Sequence, residues 1–138
     1  MSGFRKQVKV VAALIRATDR PHSYLIQQRL DGTDRGSLWE FPGGKIKPGE
    51  NTREALIREC WEELEVRIES GLKIWETVHA YQDLDVHLEI IEATIVTGTP
   101  KPLAAQQLRY AHPDEMRRLP FCEADLPLID LLSVRSLQ

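Results

Sequence analysis

The pattern of apolar and polar positions divides the chain into strand candidates separated by turns. Residues 7–15 (QVKVVAALI) begin with alternation and become continuously apolar, which is typical of a central strand buried on both faces. Further strand candidates are residues 24–28, 38–42, 72–82, 86–96 and 107–110. The turn at residues 19–22 (DRPH) predicts that the first two strands form a hairpin, and Ser70-Gly71 predicts a break before the strand at 72–82.

Two stretches show helical periodicity. The first runs from Asn51 or Thr52, either of which can cap it, to about Glu65. The last covers residues 125–134, and Asp125, just before a Leu-Pro pair, is a good N-cap for it. Strands mixed with a central and a terminal helix predict an α/β fold with sheet and helix layers around one core.

The first helix carries three acids on one face. Glu59, Glu62 and Glu63 have the i, i+3, i+4 spacing that places side chains side by side, where like charges repel. Clustered carboxylates suit a hard divalent cation such as Mg²⁺ or Mn²⁺. Arg58 precedes Glu62 by four residues and is spaced to hold it. The opposite side is an apolar stripe formed by Leu56, Ile57, Cys60 and Leu64. The simpler alternative is a solvated surface helix rich in glutamate.

A glycine loop before this helix favours the metal-binding interpretation. Gly43-Gly44 lets the main chain approach a ligand closely. In order, the stretch has Gly44, five residues, Glu50, seven residues, Arg58-Glu59-Cys60-Trp61-Glu62-Glu63, one residue and Glu65-Val66. It resembles the signature box of the Nudix hydrolases, G-x5-E-x7-R-E-U-x-E-E-x-G-U, where U is bulky and apolar. Two positions depart from the box. Cys60 replaces a larger aliphatic residue, and Glu65 replaces the glycine that ends the helix.

The resemblance implies a fold, a metal and an activity. Nudix domains are α/β/α sandwiches around a mixed β-sheet, and Nudix enzymes hydrolyse nucleoside diphosphate derivatives with a divalent metal. By position, Glu59, Glu62, Glu63 and the carbonyl of Gly43 correspond to the ligands of Mg²⁺, with Mn²⁺ as the alternative. Arg58 corresponds to the residue that orients an acidic partner. The box therefore implies that Arg58 and the three glutamates form the catalytic group.

A narrower likeness extends beyond the box to both ends of the chain. Residues 38–45 (LWEFPGGK), 28–29 and 121–131 resemble the MutT branch, which contains the 8-oxo-dGTP sanitising enzyme and the CTP pyrophosphohydrolase. This likeness implies a nucleotide-pool enzyme, with a role in DNA repair, that converts a (d)NTP to (d)NMP and pyrophosphate. The substrate-binding residues it implies are Arg29, Glu40, Phe41, Lys45 and Asp125. The alternative for the two basic ones is an exposed or solvated charge.

Asp125 and Ala104 bear on substrate and mechanism. Members that act on 8-oxoguanine have Asn where this chain has Asp125, and cytidine-type members have Asp. A carboxylate accepts from the N4 amino group of cytosine, although guanine donors could also satisfy it, and Asp125 could instead only cap the last helix. Ala104 stands where relatives often carry a glutamate that binds metal or acts as base. The general base is therefore Glu62, Glu63 or a metal-bound hydroxide.

Composition limits the remaining possibilities. The 138 residues suffice for one domain, predicted to cover residues 1–138, and the net charge of −3 supplies no basic field for nucleic acid. The two cysteines, too few for a disulfide framework, predict reduced thiols. The longest apolar run is too short to span a bilayer, so we expect a cytoplasmic monomer or homodimer with no membrane partner. Two other functions stay open: a non-catalytic Nudix-fold nucleotide sensor, and a hydrolase of another diphosphate such as ADP-ribose or capped RNA.

Overall fold

The computed structural model describes residues 5–138, and every structural statement below refers to that range. Its strands are β1 (Lys6–Ile15), β2 (Tyr24–Arg29), β3 (Trp39–Glu40), β4 (Gly43–Lys45), β5 (Arg67–Ala80), β6 (Leu84–Thr97) and β7 (Ala105–Ala111). Its helices are α1 (Thr52–Leu64), α2 (Pro113–Met116) and α3 (Leu126–Arg135), and a 3₁₀ turn at Glu123–Asp125 leads into α3. None of these described helices is both long and apolar enough to cross a membrane.

The strands form two sheets with helices packed against them. The larger sheet has the order β4-β1-β6-β5, in which β1 and β6 are parallel and the other pairs antiparallel. The smaller sheet is antiparallel in the order β3-β2-β7. Helix α1 packs on one side and α3 on the other, so the predicted α/β fold with a mixed sheet is confirmed.

Strand β1 lies inside the larger sheet, and this position accounts for its continuous apolar sequence. Val11, Ala13 and Ile15 pack in the cluster that includes α1. Ala12 and Leu14 point to the opposite face and pack in the cluster that includes α3. A strand that is covered on both faces needs apolar side chains at every position, which is why the run in β1 is continuous.

The predicted hairpin between the first two strands is wrong. Strands β1 and β2 meet only at an isolated bridge between Arg16 and Tyr24 and then belong to different sheets. The physical reason is that both edges of β1 are already paired, with β4 on one side and β6 on the other. The turn at residues 19–22 therefore redirects the chain to a second sheet instead of folding it back on the first.

Helix α1 begins and ends at the positions that the sequence predicted. Asn51 is the N-cap and forms a capping box with Glu54, because the Asn51 side chain accepts from the Glu54 N–H and the Glu54 carboxylate accepts from the Asn51 N–H. At the other end Glu65 adopts the left-handed conformation, with φ 55°, at the box position that usually holds glycine. The helix thus stops at the usual place without the usual residue.

The break predicted at Ser70-Gly71 is also wrong. Both residues lie inside β5, which starts at Arg67 and pairs with β6 along its length. The register shifts between Ser70 and Lys73 and again between Lys73 and Trp75. The turn-forming pair is accommodated as an irregularity because a β-bulge bends a strand without ending it.

Candidate active site

One cavity of about 430 Å³ collects the predicted nucleotide residues and part of the glycine loop. The predicted residues that line it are Arg29, Glu40, Phe41, Gly43, Lys45, Glu63 and Asp125. They come from three strands, the link between β3 and β4, helix α1 and the turn before α3, so the fold gathers positions that are far apart in sequence. Arg58, Glu59 and Glu62 do not line this cavity.

Arg29 and Glu40 form an ion pair in the cavity wall. Arg29 Nη1 lies 3.0 Å from Glu40 Oε1, and Arg29 Nε donates to the carbonyl oxygen of Asp34 at 3.0 Å. Burial raises the pKa of Glu40, while the charge of Arg29 opposes the rise. The Arg29 guanidinium is therefore held in place by a partly buried acid and is not a free strand-end charge.

Phe41 and Lys45 occupy different depths of the same wall. Phe41 is buried, and its ring lies 5.6 Å from the ring of Phe121, centre to centre. Lys45 is exposed at the mouth, and its backbone carbonyl accepts from Arg58 Nη2 at 2.9 Å. The charge of the exposed Lys45 side chain is therefore available to a ligand that enters from solution.

Asp125 does not cap the last helix, so this alternative for its role is wrong. Its backbone is already helical, and its side chain makes no capping hydrogen bond to α3. The carboxyl is buried in the cavity wall, and the nearby backbone N–H of Phe41 favours its charged form. Burial, and then the nearby charge of Glu40, raise the pKa of Asp125 well above its ordinary value. Asp125 is the last residue of the 3₁₀ turn Glu123–Asp125, so the helical path already begins before it.

Glu63 is the box acid that reaches the cavity. Its Oε1 accepts from Gln27 Nε2 at 3.1 Å and from the Gly43 N–H at 3.3 Å. Burial raises the pKa of Glu63 to about 7; Glu59 and Glu40 add repulsion, while the two hydrogen bonds limit the rise. No cationic side chain among the described residues forms an ion pair with this carboxylate.

Arg58 is the centre of the remaining acidic residues. Its guanidinium contacts Glu50 at 2.6 and 2.8 Å, Glu59 at 2.8 Å and Glu62 at 2.9 Å. Hydrogen bonds from Arg58, and then one from the Lys47 N–H, lower the pKa of Glu50 to about 2. The pairing of Arg58 with Glu62 that the spacing predicted is therefore present, and Arg58 also ties the helix to the glycine loop.

The two loop glycines leave no room for side chains, for different reasons. A Cβ on Gly43 would overlap the backbone of Val11 and Ala12, because β4 pairs closely with β1 there. A Cβ on Gly44 would overlap the carboxylate of Glu59. Gly44 thus forms a cradle into which the Glu59 carboxylate fits against the main chain.

The side chains at this site are of the chemical type that binds a divalent cation, although they are not arranged as a complete coordination shell. Within residues 5–138 no three His, Cys, Asp or Glu side chains are grouped closely enough to hold an ion. Glu59 and Glu62 are drawn to Arg58, and Glu62 is half exposed, so rotation of its side chain is sterically open. The site offers mainly carboxylate oxygens, which are the ligands that Mg²⁺ and Mn²⁺ prefer. One of these carboxylates, Glu63, is buried without a cationic partner, and another, Glu59, lies against the main chain at Gly44.

Three further residues at this site, Arg35, Tyr81 and Gln27, were not predicted from the sequence. Arg35 lies with its guanidinium carbon 3.6 Å from the centre of the Tyr81 ring, and both line the cavity. They come from loop residues 30–38 and from the end of β5, so no local spacing links them. Gln27 is fully buried in β2 beside Glu40 and Glu63, and its one sequence signal is a polar residue at a position that the strand alternation directs inward.

Comparison with known proteins agrees with this geometry. Residues 10–131 match the NUDIX domain family, which covers most of the chain. The chain therefore belongs to the Nudix family. The solution structure of the E. coli ORF135 protein superposes with a TM-score of 0.78 at 31% identity, covering 97% of this chain and 94% of that one.

Two curated relatives narrow the class. The CTP pyrophosphohydrolase of Escherichia coli K12 is 34% identical over 125 residues, which is 91% of this chain and 90% of that protein. The 8-oxo-dGTP diphosphatase of Proteus vulgaris is 29% identical over 90 residues, or 65% of this chain and 79% of that protein. The protein is accordingly a MutT-like Nudix hydrolase, a class of enzymes that act on phosphoric anhydride bonds.

Proposed function

We propose that this protein is a nucleoside triphosphate pyrophosphohydrolase that uses Mg²⁺, with Mn²⁺ as a possible substitute. It converts a (d)NTP and water to (d)NMP and pyrophosphate within one catalytic domain, and so removes unwanted nucleotides from the pool. CTP or a modified dCTP is the preferred substrate in this proposal, and 8-oxo-dGTP is the alternative. The long match to the CTP pyrophosphohydrolase of E. coli supports the first choice, because it covers 91% of the chain against 65% for the 8-oxo-dGTP diphosphatase.

The observation that carries the proposal is the shared cavity. Asp125 and Arg29 line it together with Gly43, Gly44 and Glu63 of the box. A nucleotide whose base lies near Asp125 therefore extends its phosphates toward the glycine loop. Such a placement brings the phosphoric anhydride to the acidic edge of α1, where cleavage is proposed to occur.

The charge of the cavity explains why metal is needed. Its lining has four basic side chains, Lys6, Arg29, Arg35 and Lys45, and five acidic ones, Asp34, Glu40, Glu63, Asp83 and Asp125. When Asp125 is protonated, four acids face four bases, so the lining has no net positive charge with which to neutralise a triphosphate. Divalent cations bound by the box acids supply the missing positive charge.

In the proposed mechanism the box residues hold the metal and orient the reaction. Glu59, Glu62, Glu63 and the carbonyl of Gly43 are the proposed ligands. The metal, when bound, neutralises charge on the phosphates and makes water more acidic. Arg58 holds Glu59 and Glu62 on one side of the helix. The segment before β7 packs on the last turn of α1, with the Leu103 N–H donating to the Glu63 carbonyl at 3.1 Å. Since Ala104 in this segment offers no carboxylate, Glu62 or Glu63 accepts the proton of the attacking water.

Asp125 is proposed to read the base as a neutral acid. Burial and Glu40 keep the pKa of its carboxyl well above the ordinary value, so its O–H donates while its C=O accepts. Cytosine presents the N3 acceptor beside the N4 donor, which matches both atoms. The O6 and N1–H of an oxidised guanine present a similar pair, so the preference has to be measured.

Product analysis on a nucleotide panel tests the reaction. Pyrophosphate and phosphate release are measured with Mg²⁺ for CTP, 5-methyl-dCTP, 8-oxo-dGTP and ADP-ribose. We expect a nucleoside monophosphate and pyrophosphate from a triphosphate, and a loss of turnover on the order of 100-fold in Glu62→Gln. Glu54→Gln is the matched control, because glutamine preserves the capping box at the far end of the same helix. Binding of nucleotide without turnover of any panel member would instead identify a sensor.

Replacement of the buried carboxyl tests the base assignment. Asp125→Leu keeps the approximate size and removes both the donor and the acceptor, so the ratio of kcat/KM for CTP to that for 8-oxo-dGTP should change about tenfold or more. An unchanged ratio, with the Tm shifted or not, would remove Asp125 from base recognition.

A further inference from the structure

Gln27 lies buried between two acids of the cavity. Its side chain is on β2, and only 1% of the residue is exposed. The amide nitrogen Nε2 donates to Glu40 Oε2 at 3.2 Å and to Glu63 Oε1 at 3.1 Å. Glu40 belongs to β3 and Glu63 to α1, so a single neutral side chain bridges two negatively charged groups on different elements.

The orientation of this amide follows from its neighbours. Both N–H bonds point to carboxylate oxygens, whereas Oε1 is buried and accepts no hydrogen bond from any of residues 5–138. The reversed amide would place its carbonyl oxygen about 3 Å from two other acceptors, which is repulsive.

An unpaired buried carbonyl destabilises the fold, because it loses its hydrogen bonds to water. An apolar side chain of the same length would avoid that cost at residue 27. Such a side chain would, however, leave both carboxylates without this donor, so the specific effect of the amide lies in where the two carboxylates are held.

Further hydrogen bonds connect Glu40 and Glu63 to residues beyond Gln27. Beyond Glu40, Arg29 Nη1 binds the second carboxylate oxygen at 3.0 Å. Beyond Glu63, the Gly43 N–H donates to the same oxygen that Gln27 contacts. A connected path of hydrogen bonds thus runs from the arginine in the cavity wall to the glycine loop of the box.

We propose that Gln27 is a positioning residue that holds Glu63 relative to the nucleotide cavity, so that the Glu63 carboxylate faces the divalent cation. This inference rests on the proposed function, because it gives Glu63 the role of a metal ligand. Without the amide, the carboxylates of Glu40 and Glu63 face each other with no donor between them. Repulsion then turns Glu63 away, and only the Gly43 N–H still orients it.

Partners behind a metal ligand have a measurable effect. Removal of such a partner typically costs about 10- to 100-fold in metal affinity or activity. We therefore expect Gln27→Met, which keeps length and removes both donors, to weaken Mn²⁺ binding by about tenfold or more. The value of kcat falls with it, while KM for the nucleotide changes little because Arg29 keeps its pair with Glu40.

The experiment compares Gln27→Met with Gln28→Met on the whole protein. Gln28 is the next residue on the same strand, and it contacts the Ser37 carbonyl and Gln107 instead of the acids. Free Mn²⁺ is titrated by electron paramagnetic resonance without nucleotide, and the Tm, kcat and KM are measured on the same samples. We expect Gln27→Met to stay folded and to bind Mn²⁺ more weakly, and Gln28→Met to bind Mn²⁺ like the wild type.

Two results would overturn the proposal. One is a folded Gln27→Met protein with unchanged Mn²⁺ affinity and kcat; the other is a lower Tm with no change in Mn²⁺ affinity, which is what a purely structural role predicts. Gln27→Leu repeats the test if the methionine variant does not fold. A wild type that binds Mn²⁺ but hydrolyses no triphosphate would end the proposed function, while the Mn²⁺ titration would still decide the role of Gln27.

Discussion

The buried carboxyl of Glu63 should make the metal-free protein less stable at neutral pH than it would be without that charge. Its pKa is about 7 in the folded protein against 4.5 ordinarily. The difference corresponds to about 3 kcal/mol at pH values above both. Glu63→Gln removes the charge and keeps an oxygen that accepts from Gln27 and Gly43, so the variant should be more stable than the wild type.

The new amide nitrogen of Glu63→Gln should not cancel this gain. Gln27 Oε1 is the one fully buried, unpaired side-chain atom among residues 5–138, so the second oxygen of Glu63 reaches solvent. An NH₂ group at that place keeps some contact with water, which limits its desolvation cost. We therefore expect a net gain of about 2–3 kcal/mol, equivalent to about 5–10 °C in Tm for a chain of this size.

The pH dependence follows from the raised pKa of Glu63. The folded protein holds this proton to higher pH than the unfolded chain, so the stability of the wild type falls as the pH rises from about 4.5 to about 7. Below that window both states are protonated, and the difference between variant and wild type should vanish. Above it the difference should be constant.

Urea unfolding in EDTA at pH 4, 6 and 8 measures the effect. Glu62→Gln is the control, because the Glu62 carboxylate is half exposed and its loss should change the free energy of unfolding by less than about 1 kcal/mol. Saturating Mg²⁺ should reverse the order, since an ion at 1,000 times its Kd stabilises the wild type by about 4.1 kcal/mol and the variant far less. A Glu63→Gln protein that is no more stable than the wild type at pH 8 in EDTA would refute the reasoning.

Three further outcomes are expected. Gly44→Ala should fold and bind Mn²⁺ more weakly, because its methyl group displaces the flexible Glu59 carboxylate. In Gly43→Ala the methyl group meets backbone atoms, so this variant should have a Tm lower by at least 10 °C. Thermal melts and Mn²⁺ titration measure both effects, and equal Tm values for the two variants would contradict this reasoning. Glu65→Gly should stabilise the protein by about 1 kcal/mol in urea unfolding by relieving a left-handed φ of 55°, while Glu65→Ala should not. Both cysteine thiols are free, and burial raises the pKa of each to about 12, so neither should react with a thiol reagent at pH 8 before urea unfolds the chain; rapid labelling of the native protein would count against that burial.

The helix that carries the box was predictable because its geometry is local. The i, i+3 and i+4 spacing placed Glu62 within reach of Arg58, and the capping residue marked the first turn, whatever the rest of the chain does. The same holds for β1, whose continuous apolar run requires cover on both faces. These features depend on neighbours within a few residues, which a sequence displays directly.

The predictions that were wrong depended on partners far along the chain. The residues of β1 and β2 do not show that both edges of β1 pair with other strands, so the predicted hairpin was wrong. Asp125 has a good capping sequence, yet its side chain is buried in the wall of a cavity that residues from several distant strands complete. In both cases long-range strand pairing decided the outcome over a local preference.

By itself, the sequence determined the Nudix class, the acid-bearing helix and the arginine that organises it. Only the tertiary structure decided that Glu63 is the box acid facing the cavity and that Gln27, 36 residues away, holds it against Glu40. The physical reason is burial: a glutamate on the surface of a helix is solvated, and the same glutamate under a strand of another sheet keeps its charge only through the donors that the fold brings to it.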